Sequence, residues 1–165
     1  MNEEEANRRA NEKARKRKEA RDKMLAEKTV EKGLLIVHTG KGKGKSTAAF
    51  GLAARALGND MRVGVVQFVK GAWRSGERRV LEHFGGQIDI RVMGEGFTWE
   101  TQDRARDIRA AQSAWKAAEE MIAACRSDKP AYDLILLDEL NIVLRYDYLP
   151  IDEVVKTLSA RPPML

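Results

Sequence analysis

The sequence predicts an α/β fold with a mostly parallel sheet flanked by helices, and three observations carry that prediction. Leu34-Leu35-Ile36-Val37, the stretch 63–69 and Leu134-Ile135-Leu136-Leu137 are short apolar runs of strand length. Their apolarity is continuous rather than alternating, which suits strands buried on both faces. Segments with helical spacing separate them, and strand and helix in alternation imply parallel order.

Each element has its own signal. Residues 1–30 are rich in Lys, Arg, Glu, Ala and Asn and contain no Gly, Pro or aromatic residue. Helix propensity is good there, and Glu3, Glu4 and Glu5 at the start suit the helix dipole. Apolar residues are scarce before Met24 and Leu25, so this helix has no stripe to bury. The body opens at Gly33, which divides the chain into a charged arm, 1–32, helical or disordered, and a domain, 33–165. Residues 46–57 read as a helix of small residues, stopped by Gly58-Asn59. Residues 70–77 read as a loop, and 78–84 as a short helix ending at Gly85-Gly86. Residues 88–93 alternate and read as a strand near a sheet edge. After a loop at 94–99, residues 103–125 form a long helix, with Ile108, Ala111, Trp115, Ala118, Ile122 and Cys125 at helical spacing. Trp115 belongs to that stripe and is predicted in the core, while Trp73 on a loop is ambiguous. Residues 140–145 and 151–159 look helical, and Pro162-Pro163 stops the last helix.

Composition bounds the function. The 165 residues are 43% apolar and 33% charged, as in a globular domain with a charged surface. No apolar run reaches the roughly 18 residues that span a bilayer, and no apolar stretch follows Met1, so neither a membrane span nor a secretory signal is expected. One cysteine, Cys125, excludes an internal disulfide and a Cys-cluster metal site, and the two histidines are too few for a His-rich one. A lone thiol without a signal favours the cytoplasm. The net charge of +5 is modest, and the arm's 11 basic residues are diluted by 8 acids. Specific nucleic-acid binding is therefore not expected.

The strongest signal is Thr39-Gly40-Lys41-Gly42-Lys43-Gly44-Lys45-Ser46-Thr47. The phosphate-binding P-loop pattern is Gly, four residues, then Gly-Lys-Ser/Thr. Gly44-Lys45-Ser46 fit its end, whereas Thr39 stands in the first position and Gly40 comes one residue late. The glycines let backbone N–H groups face one anion without Cβ clashes, and the helix that follows adds its positive end. Lys45 supplies a charge for the outer phosphates, and the Ser46 hydroxyl suits Mg²⁺. Lys41 and Lys43 raise the local charge, or simply face solvent. Asp138-Glu139, at the end of an apolar strand, reads as the matching acidic element for Mg²⁺. Acids in that position also serve as helix caps. In a parallel sheet the C-terminal strand ends share one edge, so Thr39 and Asp138 are expected to converge.

Several stretches resemble one family: Val66-Gln67-Phe68-Val69-Lys70-Gly71, Gly76-Glu77-Arg78, GEGFTWET at 94–101, LDELN at 137–141 and YDYLP at 146–150. The sequence resembles the P-loop type of ATP:corrinoid adenosyltransferases over about residues 33–162. GKGKGKS is similar to that family's variant loop, and GFTWET is the specific motif. The resemblance implies a P-loop NTPase-like (RecA-like) fold. It also implies transfer of the 5′-deoxyadenosyl group of ATP to a Co(I) corrinoid, with release of triphosphate. Residues 39–47 would bind ATP in an orientation reversed relative to ordinary P-loop NTPases, and Ser46 with Asp138 or Glu139 would hold Mg²⁺. Phe97 and Trp99 match the aromatics that displace the lower axial ligand of cobalt, so with Lys45 they are the expected catalytic residues. A homodimer, a flavoprotein electron donor and an N-terminal helix covering the neighbour's corrinoid site are further implications. Members of the family continue past a segment like Ser159-Ala160-Arg161-Pro162, so this chain is expected to lack a C-terminal strand and lid. The competing reading is a P-loop kinase or NTPase acting on the γ-phosphate.

Overall fold

The structure is a computed structural model that describes residues 3–69, 75–94 and 103–165. It divides into two compact units, Met1–Lys32 and Gly33–Leu165. The first is a single helix, α1 (Glu3–Ala26), with no buried residue. Its acids and bases pair one turn apart, Arg9 with Glu5 at 2.9 Å and Lys16 with Glu12 at 2.9 Å. Such exposed i,i+4 pairs add little individually.

The second unit is built on three parallel strands, β1 (Val63–Gln67), β2 (Ile88–Val92) and β3 (Leu134–Asp138), in the order β2-β1-β3. Val63 is in register with Ile88 on one side and Leu134 on the other. Helix α2 (Lys45–Leu57) precedes β1. A short helix α3 (Gly76–Leu81) and a 3-10 turn (Glu82–Gln87) lead into β2. Helix α4 (Arg104–Ala124) links β2 to β3, and α5 (Leu140–Arg145) and α6 (Ile151–Ser159) follow. Side-chain caps start two of these helices: the Arg78 N–H donates to Ser75 Oγ, and the Arg106 N–H donates to Asp103 Oδ1.

Central position explains the all-apolar start of β1, whose five residues are all buried. Alternate side chains feed two cores. Val63 and Val65 pack with Phe50, Ala53 and Leu57 of α2 and Leu81 of α3. Val66 faces Ala111, Trp115 and Ala118 of α4, with Val143 of α5 and Val154 of α6 in the same cluster. Trp115 is 4% exposed, as its place on the helical stripe predicts. Gly64 makes the second layer close-fitting: a Cβ there would lie 2.8 Å from Met121 Sδ and 3.2 Å from the Tyr132 ring.

One predicted strand is absent. Residues 34–37 form no strand, and Leu34, Leu35, Ile36 and Val37 are 51–72% exposed. Continuous apolarity signals two covered faces, but a strand also needs a ladder partner. Among the described residues the outer edge of β3 pairs with nothing, and Leu134, Ile135, Leu136 and Leu137 are correspondingly only half-buried. Gly33 at the head of the run is held by its N–H, which donates to Pro163 O at 2.7 Å. Among the described residues no helix is long and apolar enough to cross a membrane. Trp73, Phe97, Trp99 and residues 95–101 of GEGFTWET lie outside the described residues.

Two tyrosines make part-buried hydrogen bonds to carboxylates on β2 and α4. The Tyr132 hydroxyl donates to Asp89 Oδ2 at 2.8 Å, and the Tyr148 hydroxyl donates to Asp107 Oδ2 at 3.3 Å. Burial, then the neighbouring carboxylate, pushes both phenols above their ordinary value. The neutral phenol is thus favoured in the folded state. The resulting stability is fully present below about pH 10, the unfolded value, and is lost as pH rises through the raised folded value. Urea midpoints are expected to fall above about pH 10. A Tyr132→Phe/Tyr148→Phe variant should begin somewhat less stable and show a shallower alkaline decline. An equally steep decline in that variant would count against this assignment.

Candidate active site

The glycine-rich loop is shaped by three left-handed residues. Gly40, Gly42 and Gly44 have φ of 123°, 93° and 101°, values that an L-residue with a Cβ rarely adopts. Gly44 is also the N-cap of α2, so the alternation of glycine and lysine ends on a helix start. The lysine that opens the helix turns back onto the loop. Lys45 Nζ donates to Gly40 O at 2.8 Å and to Gly42 O at 2.6 Å. A single ammonium therefore staples the carbonyls of the loop, which suits N–H groups pointing the other way. The first turn of α2 holds no acidic residue, so nothing of its own sequence neutralises the positive end of the helix. Lys41 and Lys43 are exposed, as are Thr39 and Thr47; Ser46 is half-buried.

Ser46 connects the loop to the sheet. Its hydroxyl donates to Asp138 Oδ1 at 2.8 Å, across 92 residues of sequence. The other carboxylate oxygen, Oδ2, accepts from Gln67 Nε2 at 3.0 Å. Asp138 ends β3 and Gln67 ends β1; they are register partners and are 5% and 3% exposed. Both sit at the C-terminal edge of the sheet, where open parallel sheets bind ligands.

The structure separates the two acids that the sequence presents side by side. Asp138 enters the site, whereas Glu139 takes the N-cap position of α5 in left-handed conformation, φ 67°, without a side-chain cap bond. Thr39 does not end a strand, so the expected convergence of two strand ends is instead made by Ser46 of α2 and Asp138 of β3. Gln67 makes a contact with Asp138 that reading the motifs did not foresee. The available signal was a lone amide closing the otherwise apolar segment VGVVQ.

A hydroxyl and a carboxylate 2.8 Å apart form a hard-oxygen donor set of the kind Mg²⁺ accepts. Among the described residues no three His, Cys, Asp or Glu side chains cluster as a self-sufficient metal site.

Fold and site together define an α/β protein with a cationic, glycine-shaped loop facing a buried carboxylate at the C-terminal edge of a parallel sheet. Residues 31–165 match the model of the ATP:corrinoid adenosyltransferase BtuR/CobO/CobP family, and the chain belongs to that family. It is 53% identical over 149 residues to a corrinoid adenosyltransferase of Sinorhizobium sp, covering 90% of this chain and 67% of that protein. It is 48% identical over 160 residues to a corrinoid adenosyltransferase of Pseudomonas aeruginosa, covering 97% and 76%. A third relative, the corrinoid adenosyltransferase CobA of Salmonella typhimurium, is 49% identical over 141 residues, covering 86% and 68%.

Proposed function

We infer that this chain is an ATP-dependent corrinoid adenosyltransferase. It transfers the 5′-deoxyadenosyl group of ATP to the Co(I) of a corrinoid and releases triphosphate. The observation that carries this reading is the family match across residues 31–165. In the transfer, the cobalt electron pair forms a bond to C5′, and the C5′–O bond breaks with its electrons leaving on the triphosphate. Co(I) is itself the nucleophile, so the protein needs no general base. Its work is alignment and stabilisation of the leaving group.

The loop reads as a P-loop: residues 39–47 bind the triphosphate, Gly40, Gly42 and Gly44 expose N–H groups, and Lys45 supplies the fixed positive charge. Mg²⁺, when bound, neutralises part of the charge on the phosphates. Ser46 and Asp138 fit it, with Glu139 as the adjacent alternative. Asp138 keeps the Ser46 hydroxyl oriented toward the sheet edge.

Phe97 and Trp99 are read as the apolar face that removes the lower axial ligand of cobalt and so eases reduction of Co(II). Phe97→Ala or Trp99→Ala is expected to slow adenosylation from Co(II) plus reductant about tenfold more than adenosylation from chemically prepared Co(I), a gap worth ~1.4 kcal/mol. Equal losses in both assays would refute the axial-ligand role. A homodimer, with the charged arm over the neighbour's corrinoid, and a flavoprotein donor complete the reading. The buried lone thiol of Cys125 suits a reducing cytoplasm.

The direct test mixes the chain with ATP, Mg²⁺ and a corrinoid reduced to Co(I). A light-sensitive cobalt–carbon product with stoichiometric triphosphate is expected. ADP with transferred or free phosphate would establish the kinase or NTPase reading instead.

A further inference from the structure

We propose that Gln67 is a positioning residue for the reaction: its side-chain amide holds the Asp138 carboxylate in the orientation that serves Ser46 and the nucleotide's cation. The proposal rests on the reading of Ser46 and Asp138 as the cation-binding pair. Gln67 is 3% exposed in a strand whose other residues are Val63, Gly64, Val65 and Val66. A polar group in that setting is costly unless it is hydrogen-bonded. Its amide nitrogen donates to Asp138 Oδ2 at 3.0 Å.

The backbone leaves this pair little freedom. Gln67 and Asp138 are register partners on adjacent strands. The Phe68 N–H donates to Asp138 O at 3.1 Å, and the Met93 N–H donates to Gln67 O at 3.2 Å. Both side chains therefore start from fixed points in the sheet. The carboxylate then has a different donor on each oxygen, the Ser46 hydroxyl on Oδ1 at 2.8 Å and the Gln67 amide on Oδ2. With Oδ2 held, rotation of the carboxylate away from Ser46 breaks a buried hydrogen bond. Donors that orient a ligating group from behind are a general device of metal sites. Only a side chain with a donor serves here, because both oxygens of an ionised carboxylate are acceptors.

The test uses the full chain with Mn²⁺ as the cation. Calorimetry measures ATP affinity with and without Mn²⁺, and the ratio gives the cation-dependent gain. Gln67→Met keeps the length of the side chain and removes the donor. It is expected to reduce that gain about 10- to 100-fold and leave metal-free ATP affinity unchanged. A purely structural role would lower the melting temperature and leave the gain intact, so a folded Gln67→Met protein with the wild-type gain overturns the proposal. Gln67→Asn, which keeps the amide but withdraws it by one methylene, serves if the Met variant does not fold and should show the same loss. Asp138→Asn separates the two levels. If it cuts the gain while the Gln67 variants do not, only the positioning role falls. If none of the variants changes the gain, the cation-site reading falls with it.

Discussion

Lys45→Ala is expected to abolish productive use of ATP, with kcat down by about 10²–10³-fold or more even at saturating nucleotide. Two losses combine in this change. The ammonium that would face the departing triphosphate disappears, and with it the staple to Gly40 O and Gly42 O that holds the loop around one centre. The second loss matters because Gly40, Gly42 and Gly44 have no side chains to maintain their left-handed geometry unaided. Lys45→Arg should not rescue the rate, since a planar fork cannot reproduce a compact charge satisfying two carbonyls from inside a tight loop. Initial rates of adenosylation from chemically prepared Co(I) isolate this effect from the reduction step. Near-normal turnover by the alanine variant would contradict the role.

Trp115→Ala is expected to produce the largest loss of stability, about 3–5 kcal/mol. That is a large part of the roughly 5–15 kcal/mol typical of a whole domain. Trp115 stands where α4 meets Val66 of the central strand, with Val143 and Val154 in the same cluster. Its removal opens a cavity beneath three helices rather than at a rim that can collapse. The melting temperature should fall by roughly 6–20 °C. Trp115→Phe is expected to cost much less. Among the described residues the indole Nε1 has no acceptor, so phenylalanine forfeits volume but sheds a buried N–H that is not satisfied. Urea midpoints of the two variants check both statements, and an alanine variant within about 1 kcal/mol of the parent would be inconsistent with a core anchor.

The elements written in local pattern were legible without coordinates. The alanine-rich helix after the glycine loop, the long stripe through Ile108, Trp115 and Ile122, and the strands β1 and β3 follow from local pattern, because a helix shows its period and a strand covered on both faces its continuous apolarity in its own residues, although β1 stops at Gln67, short of the expected 63–69. The apolar run 34–37 shows the limit of that logic. Its residues have the composition of a buried strand, yet their burial depends on neighbours that lie far away in sequence, and in the structure they are exposed. Apolarity reports what a segment tolerates on its faces; a ladder requires a second segment at its edge.

The site divides along the same line. The glycine–lysine alternation and the acid after an apolar strand pointed to an anion site from residue types alone, since N–H groups, an ammonium and a carboxylate are the groups such a site uses. Sequence left the charged arm helical or disordered, with few apolar residues to bury; the structure makes Glu3–Ala26 a helix with no buried residue. Which of two adjacent acids joins the loop was decided only in three dimensions. Asp138 ends β3 facing Ser46, while the left-handed turn at Glu139 takes the next residue into the N-cap of α5. The part played by Gln67 was decided there too, because its contact with Asp138 spans 71 residues and arises from strand register. Chemistry that resides in residue types is carried by the chain itself; chemistry that depends on which two side chains meet exists only once the sheet has paired.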